Sequence, residues 1–290
     1  MKKMMLMALA AALICGCEKP ILDAESESEV AHPDLPHKNF TFTVKGDFGA
    51  ATFTRGYLTA DGQSMTDLWV FDYVDGTCVQ TVHQTSTDTD WGQPKMSLSY
   101  GNHHVYFVAS RGDGATVDAD GHSITWTGPR DTFWKDYEVD VVSTSNGNRA
   151  VTLDRVATKM RIVVNDEVPA TCKAVTVTPE RWYYGWDYVN GVAVASQQTE
   201  RRVTVPESYV GTTGQLAVSI FGLSSADEWV TNVAVKALGD GDAVLGSATI
   251  TGAPFKANRS TEYSGNLFGS SGGLDVSINA NWESPKTGTW

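Results

Sequence analysis

Apolar and polar residues alternate with a period of two at intervals along the chain. In Asn39–Lys45, Phe40, Phe42 and Val44 fall on one side and Thr41, Thr43 and Lys45 on the other, the spacing of a half-buried β-strand. Lys95–Tyr100 repeats it with Met96, Leu98 and Tyr100, while Leu68–Tyr73 and His104–Ala109 are almost unbroken apolar runs that suit a sandwich core. Further strands are expected over Ser123–Trp126, Tyr137–Val142, Ala174–Thr178, Val192–Ser196, Arg202–Val205, Gln215–Phe221, Thr231–Leu238 and Val244–Ile250. Ala150–Val164 is long enough for one bent strand or two joined by a kink. The cleanest alternation comes last, with Leu274, Val276, Ile278, Ala280 and Trp282 on one face and Asp275, Ser277, Asn279 and Asn281 on the other. Helical periodicity is nowhere sustained, although a single turn fits Ser225–Trp229. The chain reads as all-β.

Length and charge narrow the picture. At 290 residues the chain can supply two cores of ordinary size, and Ser143–Asn148 is its most linker-like interior stretch. Two β-sandwich domains are therefore expected, over 39–147 and 148–290. The formal net charge of -12, with no basic stripe to offset it, repels phosphate backbones and excludes nucleic acid as a partner. Beyond Cys15 and Cys17 only Cys78 and Cys172 remain. They fall in different expected domains, so two free, partly buried thiols are expected rather than a bridge.

The N-terminus reads as an export leader. Lys2 and Lys3 precede an apolar stretch, Met4–Ile14, too short to span a bilayer as a stable helix. Ile14-Cys15-Gly16-Cys17 resembles the lipobox of bacterial lipoproteins, with Cys17 as the acylated residue. The alternative is an ordinary secretory signal with two incidental cysteines. Acyl chains at Cys17 would hold the protein on a membrane at about 0.8 kcal/mol per buried CH₂. Residues 18–38, rich in acidic side chains and proline, cannot bury enough surface to fold alone and read as a flexible tether.

Taken together, the lipobox, a first strand running on to Thr54-Arg55, then MTDLWVFDY, YGNHHVYFVAS, LDRVATKMRIVV and PFKANRSTEYSGNLF, in that order, resemble the fimbrillin (FimA/Mfa-like) pilins of Bacteroidetes. The resemblance implies two transthyretin-like β-sandwich domains in tandem and delivery to the outer membrane and cell surface as a lipoprotein. It also implies cleavage between Arg55 and Gly56 by an arginine-specific protease and partnership with other fimbrial subunits in a pilus. Residues 39–55 would then be a removable first strand. Losing Phe40, Phe42 and Val44 would uncover apolar area at about 25 cal/mol per Å² and leave sheet groups unpaired. A strand from a neighbouring subunit cancels both costs, which is donor-strand complementation. Leu274–Trp282 is the candidate donor, although Pro285 and Gly288 weaken its tail and the strand could instead complete its own sandwich. The rival reading is a non-polymerising surface lipoprotein, a fimbrial anchor or a binder of glycan or host ligand, that keeps its first strand.

Other constellations carry less. Trp182, Tyr184 and Trp186, in RWYYGWDYVNG, form either a stacking platform for sugar rings or the bulk of the second core. Arg111-Gly112-Asp113 matches the integrin-binding tripeptide but is ordinary turn chemistry. Adjacent His103 and His104 point to opposite faces of a strand, and no histidine spacing suits zinc, so no metal is expected. Asp118-Ala119-Asp120-Gly121 and Asp240-Gly241-Asp242 lack the remaining ligands of a calcium loop and read as turns. With no nucleophile elbow, phosphate loop or dinucleotide fingerprint, neither a cofactor nor enzymatic activity is expected, and a serine–histidine–aspartate triad could only be assembled in three dimensions.

Overall fold

The computed structural model describes residues 35–46, 65–111, 113–119, 121–129 and 131–268. The first half comprises β1 (His37–Gly46), β2 (Asp67–Val74), β3 (Thr77–Thr85), β4 (Lys95–Ser99), β5 (Gly101–Ser110), β6 (Asp113–Val117), β7 (Ser123–Gly128), β8 (Thr132–Val141) and β9 (Asn148–Arg155). The second comprises β10 (Ala157–Val164), β11 (Ala174–Pro179), β12 (Trp182–Asp187), β13 (Val192–Gln197) and β14 (Arg201–Thr204). It ends with β15 (Ala217–Leu223), β16 (Trp229–Leu238), β17 (Val244–Phe255) and β18 (Arg259–Gly265). Among the described residues the only helical pieces are two three-residue 3₁₀ turns, Glu207–Tyr209 and Asp240–Asp242. The turn of helix expected at Ser225–Trp229 is absent, because Trp229 already opens β16.

One sheet has the order β3-β2-β5-β8-β9-β1-β4. Between β8 and β9 only Phe133 with Arg155 and Trp134 with Asp154 are paired, and across this corner the sheet's two arms enclose the first core. Phe40, Phe42 and Val44 of β1, Val151 and Leu153 of β9, and Met96 and Leu98 of β4 lie in one cluster with Leu68 and Val70 of β2 and Val105, Phe107 and Ala109 of β5. The open edge β3 meets β4 and the turn before it through glutamines rather than by a ladder: Ser97 N–H of β4 donates to Gln80 Oε1 at 3.3 Å and Gly92 N–H of the turn to Gln84 Oε1 at 3.1 Å. Two further sheets, β15-β10-β18 and β14-β11-β16-β17, hold the second core, with Met160, Ile162, Val218 and Tyr263 clustered with Val175, Val177, Val233 and Val235.

A third core joins the halves. The sheet β13-β12-β7-β6 places Ile124, Trp126 and Trp186 against Trp69, Phe71 and Tyr73 of β2 and Tyr106 and Val108 of β5. β2 and β5 are thereby covered on both faces, which is why their sequences are unbroken apolar runs. The boundary expected at residue 147 does not separate the cores. β9 lies beyond it, yet the inward residues Val151 and Leu153 pack in the first core, and the change to the second core falls at Val156–Ala157, where Ala150–Val164 divides into two strands. β12 also pairs back with β7, Trp186 opposite Ile124. Cys78 is half-buried and Cys172 buried, with no bridge between them, and burial pushes the Cys172 thiol up.

Candidate functional site

β1 is an interior strand, and its alternation sets what it buries. Phe40, Phe42 and Val44 are 1%, 0% and 0% exposed, while Thr41, Thr43 and Lys45 between them are half-buried. The Phe42 ring meets Phe107 edge-on at 5.1 Å and Tyr137 at 5.9 Å, and the Arg149 guanidinium lies 5.7 Å from the centre of the Phe40 ring. Along one edge β1 runs parallel to β9, from Thr41 opposite Asn148 to Gly46 opposite Leu153. Along the other it is antiparallel to β4, from His37 opposite Ser99 to Thr41 opposite Lys95. That second edge continues past β4, where Phe42 N–H donates to Pro94 O and Val44 N–H to Gly92 O, each at 3.0 Å.

Gly147, read from sequence only as part of a linker, lets β1 approach. A Cβ there would overlap the Asn39 carbonyl oxygen, and Thr41 N–H donates to Gly147 O at 2.7 Å. Among the described strands β4 pairs in the sheet with β1 alone. Taking β1 away would therefore open a slot between β9 and β4, empty one side of the first core and leave β4 held by its turn into β5, by Gln80 and by the contact of Ser99 with His103.

The remaining site expectations divide by location. Cys17, Arg55, Gly56 and the donor candidate Leu274, Val276, Ile278, Ala280 and Trp282 lie outside the described residues, as does Gly112. Trp182 and Trp186 are each 2% exposed and belong to different cores, with only Tyr184 half-buried. They therefore offer no exposed ring faces as a joint platform, because their apolar area is spent on packing. Arg111 is not a free turn residue, since its guanidinium lies 5.8 Å from the centre of the Phe221 ring. In the two acidic turns Ser123 Oγ donates to Asp118 at 2.6 Å, and Arg202 pairs with Asp242.

One grouping escaped the sequence because its members are far apart along the chain. His103 Nδ1 lies 2.7 Å from Asp72 Oδ1, and its Nε2 lies 3.3 Å from Ser99 Oγ, the connectivity of a hydrolase triad. The surroundings make it a structural clamp. His103 Nε2 is also 2.9 Å from the Ser99 carbonyl oxygen, which can only accept, so the nitrogen is a donor and cannot take a proton from the Ser99 hydroxyl. Asp72, His103 and Ser99 are 1%, 2% and 5% exposed, which closes the hydroxyl to substrate. Burial alone would lower the His103 pKa, but the bond to Asp72, its charge and the Ser99 carbonyl raise it overall. His103 thus ties β4 to β2 and β5 at one end of the first core, facing Asp72 through Nδ1 and donating to the Ser99 carbonyl through Nε2. His104, on the opposite face as expected, is exposed and converges with Asp136 and Glu138.

No family model and no curated protein matches the chain. Solved structures share its fold. A candidate polysaccharide-binding protein of Bacteroides thetaiotaomicron aligns with a TM-score of 0.54 and 8% identity over 83% of this chain and 98% of its own. A candidate adhesin of Bacteroides ovatus aligns with a TM-score of 0.52 and 11% identity over 87% and 97%. The tip fimbrial protein Mfa3 of Porphyromonas gingivalis is more distant, with a TM-score of 0.45 and 11% identity over 84% and 99%.

Proposed function

We propose that the protein is a cell-surface adhesion protein and a structural subunit of a fimbria. It is exported as a lipoprotein acylated at Cys17 and assembles by strand exchange after cleavage at Arg55. The observation that carries this reading is the setting of β1: a buried interior strand, near the N-terminal end, followed within a short stretch by an arginine and then by the rest of the first core. The order of segments that resembles the fimbrillins supports it, and so does an all-β fold held in common with a candidate adhesin. Phe40, Phe42 and Val44 each contribute about 1.5–3 kcal/mol by burial. Their joint loss approaches the whole stability of an ordinary domain, about 5–15 kcal/mol. A cleaved subunit therefore needs a replacement strand, and the terminal segment 274–282 of another copy has the required alternation.

One observation favours the rival reading, a surface lipoprotein that retains its first strand and binds glycan or another surface ligand. β4 relies on β1 for its place in the sheet, so loss of β1 without immediate replacement endangers the fold. Limited digestion of the folded, unlipidated chain with an arginine-specific protease separates the two. A single new terminus at Gly56 with oligomers that survive an unboiled denaturing gel is the expected result. Stable monomers that resist the protease at Arg55, the first arginine of the chain, and keep β1 would assign the protein to the rival class.

A further inference from the structure

On the outer face of the first sheet, beyond the rim of the third core, His104, Asp136 and Glu138 bring one imidazole nitrogen and two carboxylates together. One ligand atom from each lies within 4.8 Å of the others. Their positions are fixed by backbone register. His104 stands opposite Glu138, and Tyr106 opposite Asp136, on β5 and β8, two interior strands of the seven-stranded sheet. His104 Nδ1 lies 3.1 Å and 3.2 Å from the two Asp136 oxygens. For metal–ligand bonds of about 2.0–2.1 Å, neighbouring ligand atoms sit about 2.9 Å apart in an octahedron and about 3.3 Å apart in a tetrahedron. The imidazole and the Asp136 carboxylate are thus already spaced to share an ion, and a side-chain rotation brings in Glu138.

The local charge suits a cation. Two carboxylates there face one imidazole, and the Tyr106 ring packs against His104 with centroids 5.9 Å apart. The nearest lysine along β8, Lys135, is turned away and bonds Asp154 at 3.0 Å. A wholly carboxylate set would favour Ca²⁺ or Mg²⁺, whereas an imidazole beside two carboxylates favours a borderline first-row divalent ion.

We propose that His104, Asp136 and Glu138 form a surface site for a divalent transition-metal ion of the Zn²⁺ class, with at least one coordination position open to solvent. Neither the removal nor the retention of β1 bears on it.

The test is calorimetric titration of Zn²⁺ alone into the full, untagged chain after removal of bound metal by chelation, with Ca²⁺ in parallel. Saturable Zn²⁺ binding that His104→Ala and Glu138→Gln each weaken by at least about tenfold is expected, since losing a direct ligand should cost no less than losing its supporting shell. His83→Ala should change nothing, because His83 faces the single carboxylate of Asp67. Absence of saturable binding, Zn²⁺ binding unaltered by His104→Ala, or Ca²⁺ binding as tight as Zn²⁺ would each overturn the assignment.

Discussion

The two large cores treat the strands at their chain ends differently. Both contain a parallel pair, β1 with β9 in the first and β18 with β10 in the second. β1 is sealed on both edges, by β9 and by β4 with Gly92 and Pro94. β18 pairs with β10 and lies at the end of its sheet among the described residues. In each core a glycine lets a segment distant in sequence come close: a Cβ at Gly147 would overlap Asn39 O, and one at Gly246 would overlap Leu267 O. After β18 the Asp166 carboxylate accepts from the Leu267 and Phe268 amides and Leu267 is buried in the second core, so residues 267–268 are held by one carboxylate and by packing where the first core holds β1 through two ladders. Among the described residues the first core therefore depends on β1, held on both edges, while the second has β18 at the edge of its sheet.

The largest expected effect tests that dependence. Phe42→Ala, which empties a fully buried site against Phe107 and Tyr137, should cost about 3–5 kcal/mol in urea unfolding. Hydrogen exchange should then show β4 and β9 losing protection while β10 to β18 keep theirs. Even loss across both halves would mean that the shared third core makes the molecule one cooperative unit, and the contrast between the two large cores would fall. Next come the glycines, whose Ala variants should each cost about 1–3 kcal/mol through overpacking. The damage should be local, to β1 in Gly147→Ala and to residues 267–268 in Gly246→Ala. Gly147→Ala at wild-type stability would mean that β1 can shift in its slot.

Much of this was legible in neighbouring residues: β1 and β4 follow from period-two alternation and β5 from its apolar run, while the length of Ala150–Val164 left one bent strand or two open. What could not be read depends on pairings distant along the chain. Nothing near Val151 tells that β9 faces the first core rather than the second, and nothing near Trp186 tells that β12 joins β7, so the core boundary was expected too early. The same limit hid Asp72 from His103 and His104 from Asp136, because residues 31 and 32 apart meet only through strand register. Gly147 offered a signal that was undervalued. A glycine beside a strand can mark a turn or a close backbone approach, and here it marks the approach of Asn39.

The smallest expected effect is the pH response of the His103 clamp, which among the described residues belongs to the first core alone. His103 has a folded-state pKa raised above its ordinary value of 6.5, because the bond and charge of Asp72, with the Ser99 carbonyl, outweigh the opposing effect of burial. The native state thus binds a proton more tightly than the unfolded chain. The resulting stabilisation is complete below pH 6.5 and is lost as the pH rises through the raised folded value. Urea midpoints measured upward from about pH 6 should therefore fall for the native chain, and His103→Gln should remove that slope while lowering stability at the acidic end. A midpoint that stays level or rises over this range in the native chain would mean that the imidazole is neutral when folded. The pairing with Asp72 would then be a hydrogen bond without charge, and the two cores would respond to pH alike.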